Sequence, residues 1–258
     1  MFLLTAAASP FALSRWADFF ANFGEFTKGF LYTLGMSICA LILAFVLGVI
    51  FGAMSSSKSR VLKAISRVYV EVFQNTPLLV QFVFVYYGLA IMTNGVIMIS
   101  TFFTAVLCVG IYHGAYIAEV IRSGIEAVPK GQTEAALSQG FTYSQTMSLI
   151  ILPQAVRTIL PPLTNQVVNL IKNTSTVAII SGADIMFTAK AWAYETTNYV
   201  PAFALPGFPD DFLCMISGLS KMTWKKFITI FLITKPVTLY IYTVVAYKGL
   251  NYLLTLFH

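Results

Sequence analysis

A polar stripe in an apolar chain is the first place to look for chemistry. Asn165, Asn169, Lys172 and Asn173 recur at three- and four-residue intervals, so on a helix they share one face. Thr174 and Ser175 extend the cluster, and Gln81 is a second polar group inside an apolar run. Such groups are expensive in a bilayer unless they pair or line a wet pathway. The stripe therefore reads as a solute pathway or as a set of interhelical hydrogen bonds. Hydrolytic chemistry has little to stand on. The sequence carries no Gly-x-x-x-x-Gly-Lys-Ser/Thr phosphate loop, so no ATP site is expected on this chain. His113 and His258 are the only histidines, and Cys39, Cys108 and Cys214 lie too far apart for a metal or disulfide pattern. No metal and no cofactor is expected on the chain itself.

The elements that position the stripe follow from composition. The chain is 58% hydrophobic and only 10% charged over 258 residues. A soluble domain is about a quarter charged, so this is an all-α, polytopic membrane protein. Its net charge of +6 fits basic loops that fix orientation rather than a nucleic-acid partner.

Residues 1–28 form an N-terminal segment whose part from residue 10 onward reads as an interfacial helix or a leader. A first span covers Gly29 to Met54, with Gly48 and Gly52 offering a close helix-packing surface. The loop Ser55 to Arg67 carries Lys58, Arg60, Lys63 and Arg67 and no acid, which holds it in the cytoplasm. A second span, from about Tyr69 to Met92, is bent or restarted at Pro77. Thr93-Asn94-Gly95 is an outside turn. A third span runs from about Val96 to Ile121, with Glu119 and Arg122 on one face near its end, a local ion pair or a substrate contact. A fourth, about Ser148 to Ile180, should kink at Pro153 and Pro161-Pro162. Residues 199–235 make an extracytoplasmic connection broken by Pro201, Pro206 and Pro209, and 236–258 hold the last span. That gives about five spans.

Between the third and fourth spans lies a polar elbow, residues 129–153. Thr133 is positioned to cap a short helix with Glu134 in its first turn. Gly140 is positioned to end that helix in the left-handed conformation. Thr142 and Gln145 have capping-box spacing for the next helix. Leu137 and Phe141 would form an apolar knob, and Ala135 and Ala136 allow another surface to approach closely.

Glu134-Ala135-Ala136, then Gly140, then Ile150-x-Leu152-Pro153 resembles the EAA loop of ABC importer permeases. Asn75-Thr76-Pro77-Leu78-Leu79-Val80-Gln81, Gly114 to Glu119 and Lys172-Asn173-Thr174-Ser175 are similar to signatures of the polar amino acid subfamily. The likeness covers roughly 28–198, the permease core being placed at 29–198. Residues 199–235 depart from the pattern.

The resemblance implies a type I importer permease with a cytoplasmic coupling helix. It implies a multi-pass protein of the bacterial cytoplasmic membrane with its N-terminus outside and its C-terminus in the cytoplasm. Gly131, Glu134, Ala135, Ala136, Leu137, Gly140 and Phe141 would dock an ABC ATPase, and ATP and Mg would sit on that partner. A second permease copy or paralogue, an extracytoplasmic amino-acid-binding protein and membrane lipid are the other implied partners. In the subfamily an acidic residue often stands at the position of Asn173. Here the neutral amide follows Lys172, which favours glutamate, aspartate or glutamine unless Lys172 turns to the interface. The other reading is an ATPase-independent channel or accessory membrane subunit.

Overall fold

A computed structural model describes residues 12–198 and 201–202. The expected last span, Cys214 and nearly all of the 199–235 connection lie outside the described residues.

Eight helices account for most of what is described. They are α1 (Leu13–Ala21), α2 (Phe23–Ser55), α3 (Arg60–Asn75), α4 (Leu78–Met92), α5 (Thr101–Glu126), α6 (Lys130–Ser138), α7 (Tyr143–Ile180) and α8 (Ile185–Thr196). Three of these, α2, α5 and α7, are long and apolar enough to cross a membrane. The α3–α4 pair would add a fourth crossing if it is one broken span.

Two compact units emerge among these residues, and the boundaries fall inside helices. The smaller comprises 12–26, 189–198 and 201–202. Its centre is aromatic, with Phe19 packed edge-on against Trp192 at 5.6 Å and tilted onto Phe26 at 4.6 Å. Arg15 Nη1 donates to the Thr197 carbonyl at 2.7 Å and to Asn198 Oδ1 at 2.9 Å. α2 begins at Phe23, six residues before the Gly29 start expected for the first span.

The larger unit, 27–188, holds the membrane core. Met36, Ala40 and Ala44 of α2 meet Ala105, Val109 and Ile117 of α5, and Leu170 and Val177 of α7 join them. Small residues let the backbones approach. A Cβ on Gly48 would overlap Ile117, one on Gly52 would come within 2.8 Å of Ile121 Cγ2, and one on Gly124 would overlap Ile159 of α7. The expected Gly48/Gly52 surface is thus used within the chain. Gly48→Leu should push α2 off α5 at a cost of about 1–3 kcal/mol, typical of overpacking. A lowered thermal midpoint of the purified protein would register it, and an unchanged midpoint would refute the contact.

Two expectations are corrected here. The basic loop ends early, because α3 starts at Arg60, where Ser59 Oγ caps Leu62 N–H at 3.4 Å. No helix starts at Tyr69, which lies inside α3. α3 meets α4 at 95°, and the corner is Thr76, extended ahead of Pro77 as the ring demands. α3 is pinned to α2 and α5 by its own polar groups. Ser66 Oγ donates to the Phe51 carbonyl at 2.7 Å, Tyr69 Oη to Ile111 at 2.7 Å and Gln74 Nε2 to Ala115 at 3.2 Å.

α7 runs unbroken through Pro153, Pro161 and Pro162. A widened turn over Met147–Ile151 ends just before Leu152-Pro153, where the missing N–H interrupts the ladder in any case.

Candidate functional site

Local chemistry builds the elbow. Pro129, with φ −56°, leads into α6 at Lys130, so the helix starts earlier than Thr133, and no side chain caps it. Glu134 therefore lies past the first turn and close to the middle of the helix, a correction to the expected cap. The far end follows the expectation. Gly140 has φ +83°, which a side-chain-bearing residue rarely adopts. Its N–H reaches the Leu137 carbonyl, and Phe141 N–H reaches Ala136, both at 3.1 Å. α7 then opens with the expected reciprocal pair: Gln145 N–H donates to Thr142 Oγ1 at 3.3 Å, and Thr142 N–H donates to Gln145 Oε1 at 2.9 Å.

What the elbow offers is therefore fixed from both sides. Leu137 is 46% exposed and Phe141 38%, and Gly131, Glu134 and Ala135 are exposed beside them, while Ala136 is buried inward. Lys58, from the basic loop, stacks 4.1 Å over the Tyr143 ring. The loop and the elbow therefore lie at the same end of the larger unit.

A second feature sits between α5 and α7, a pocket of about 210 Å³. Asn169, Lys172 and Asn173 line it from α7, joined by Gln166. Tyr112, His113 and Tyr116 line it from α5. Asn173 Nδ2 lies 3.0 Å from His113 Nε2. With the amide donating, the ring nitrogen accepts and its proton resides on Nδ1. The two tyrosine hydroxyls sit 3.1 Å apart. The pocket is thus a ring of neutral donors and acceptors with one formal charge, Lys172.

The other stripe residues fall elsewhere. Asn165 is exposed on α7 away from the pocket. Thr174 is fully buried with its hydroxyl on the Ile171 carbonyl at 2.7 Å, and Ser175 donates to Lys172 at 2.7 Å. Gln81 does not line the pocket. Its Nε2 donates to the Thr76 carbonyl at 3.1 Å and to Phe73 at 3.3 Å, holding carbonyls left open by the corner at Pro77. Sequence reasoning missed Gln166 and the α5 wall. Tyr112 and Tyr116, one turn apart around His113, were the available signal.

Near the elbow, Arg122 is held by Glu119, with Nε donating to Oε2 at 3.0 Å, and by Glu126. The local ion pair is present and gains a third member. No group of three or more metal-ligating side chains occurs among the described residues.

Residues 44–247 match the family of binding-protein-dependent transport system inner membrane components. The chain is 45% identical over 171 residues to the probable glutamine ABC transporter permease protein GlnM of Bacillus subtilis, covering 66% of this chain and 77% of that protein. It is 35% identical over 188 residues to the glutamate/aspartate import permease protein GltJ of Escherichia coli K12, covering 66% and 76%. Among solved structures, an amino acid ABC transporter crystallised with histidines aligns with a TM-score of 0.66 at 32% identity, over 83% of this chain and 96% of that one. The inward-facing MetNI methionine transporter aligns at 0.59 and 17% identity over 77% and 92%, a likeness of fold.

Proposed function

Because the chain belongs to the binding-protein-dependent transport system inner membrane components, we propose that it forms one half of the path through an ATP-driven importer of glutamine, glutamate or aspartate. The elbow carries this reading. A short helix locked at Gly140 and Thr142, with Leu137 and Phe141 outward, is a stiff handle for a separate motor chain. ATP and Mg belong to that partner ATPase, two copies of which serve a pair of permeases, this chain with itself or a paralogue. An extracytoplasmic binding protein delivers the amino acid. The pocket around His113 and Asn173 supports the cargo, since amide and carboxylate side chains suit a neutral ring of donors beside Lys172. Asn169, Lys172 and Asn173 contact the solute in this reading, and the relatives with glutamine and glutamate/aspartate in their names agree with it.

The test is co-purification with the ATPase, followed by uptake of labelled glutamine, glutamate and arginine in proteoliposomes with receptor. ATP-dependent uptake led by glutamine or glutamate is expected. Uptake without ATP would point to a channel, and arginine as the best cargo would overturn the substrate.

The same reading places the basic loop and the elbow in the cytoplasm and the N-terminus outside. In a cysteine-free background, Ser138→Cys should resist an impermeant thiol reagent on intact cells, and Val96→Cys, which is 84% exposed, should react. The reverse labelling would invert the topology.

A further inference from the structure

A cavity of about 430 Å³ lies between α3 and α5, apart from the pocket around His113. Lys63, Arg67 and Glu71 of α3 and Glu119, Arg122 and Glu126 of α5 put six charges on its walls, three of each sign. Arg122 is already committed to Glu119 and Glu126. Among the described residues, Lys63, Arg67 and Glu71 form no ion pair. They recur at four-residue intervals along one face, two cations followed by an acid.

The opposite face of α3 is apolar. Val61, Ile65, Val68 and Val72 form a single stripe and are 49% to 68% exposed. α3 therefore turns the exposed Lys63, Arg67 and Glu71 to the cavity and its valines and isoleucine the other way, a division that suits a helix between a wet cavity and lipid. Glu126 ends α5 only three residues before Pro129, so the cavity lies at the elbow end.

We propose that this cavity is a second solute site, holding the head group of an α-amino acid as it leaves the protein on the elbow side. The proposal rests on the amino-acid permease reading. Lys63 and Arg67 take the α-carboxylate through charge-assisted hydrogen bonds, and Glu71 takes the α-ammonium. A simple anion would leave Glu71 opposed, and a simple cation would leave the two bases opposed. A zwitterion answers both signs. The volume is many times the roughly 30 Å³ share of one water, so a glutamine-sized solute fits with solvent.

The test uses the complete permease–ATPase complex in proteoliposomes, with ATPases and ATP in the lumen and loaded receptor outside. Uptake of labelled glutamine into an amino-acid-free lumen tests the permease reading alone. Unlabelled glutamine in the lumen should then inhibit the wild type by filling the cavity from the exit side. Each variant is read relative to its own uninhibited uptake. Lys63→Gln/Arg67→Gln, and separately Glu71→Gln, should raise the half-inhibiting concentration at least tenfold, while lumenal glutarate, which lacks the ammonium, should inhibit poorly. No inhibition of the wild type, or equal inhibition in all three proteins, overturns the site and leaves the permease reading intact. If the wild type imports none of glutamine, glutamate and aspartate, the cargo reading fails. Equilibrium binding of labelled glutamine to the receptor-free complex then decides the cavity, with a tenfold loss in the variants supporting it and unchanged affinity refuting it. A variant defect that follows phosphatidylglycerol content instead of lumenal glutamine would assign the cations to a lipid headgroup and also overturn the proposal.

Discussion

Gly140→Val should abolish ATP-driven uptake, by tenfold or more, while the protein still inserts. At φ +83° a side chain is strained by its own backbone, and nothing else lies within 4 Å of a Cβ there. The penalty is therefore purely conformational, about 1–2 kcal/mol for an ordinary residue and larger for a β-branched one. The chain would escape by unwinding the turn, which removes the hydrogen bonds from Gly140 and Phe141 and lets the exposed pair Leu137 and Phe141 drift apart. A graded series separates strain from bulk. Gly140→Asn, which tolerates the left-handed region, should keep most uptake, and Gly140→Ala should fall between. Uptake in Gly140→Val equal to wild type, with normal ATPase association, would show that the elbow's shape does not matter for coupling.

Asn173→Asp should redirect the pocket. The amide donates to His113 Nε2 at 3.0 Å, and a carboxylate can only accept. His113 would have to donate from that nitrogen instead, and the pocket would gain a negative charge beside Lys172. Glutamate uptake should fall at least tenfold relative to glutamine, a discrimination of about 1.4 kcal/mol. Arginine should gain. The readout is the ratio of glutamate to glutamine uptake by the reconstituted complex, which cancels differences in protein yield. An unchanged ratio would remove Asn173 from the solute's path. Asn173→Ala, which empties the site without adding charge, should weaken uptake of both amino acids and leave the ratio near wild type.

How much of this was legible depended on the range of the interaction responsible. The glycine turn at Gly140 and the Thr142–Gln145 cap are settled within four residues, and both could be read from residue types. The start of α6 could not be read as reliably, because two local signals competed. Thr133 looks like a cap, but Pro129, with its fixed φ, starts the helix one turn sooner. At Pro77 a bend was legible, but its size of 95° was not, since it depends on how Ser66, Tyr69 and Gln74 fasten α3 to distant carbonyls. The pocket divides in the same way. Asn169, Lys172 and Asn173 form a stripe on their own helix. Their partners Tyr112, His113 and Tyr116 become part of the site only through the register of α5 against α7, which close contacts such as Gly124 with Ile159 fix.

α7 joins the elbow to the pocket as one helix, Tyr143–Ile180. From Thr142 to Asn173 it spans about 46 Å of continuous helix, at ~1.5 Å per residue. A tilt of about 5° at the elbow end, unaccompanied by any local unfolding, would swing Asn173 through roughly 4 Å, more than the length of a hydrogen bond. A small rotation at one end would thus be enough to make or break individual contacts at the other. The three prolines, which each remove a donor from α7's hydrogen-bond ladder, would govern how much of that rotation arrives.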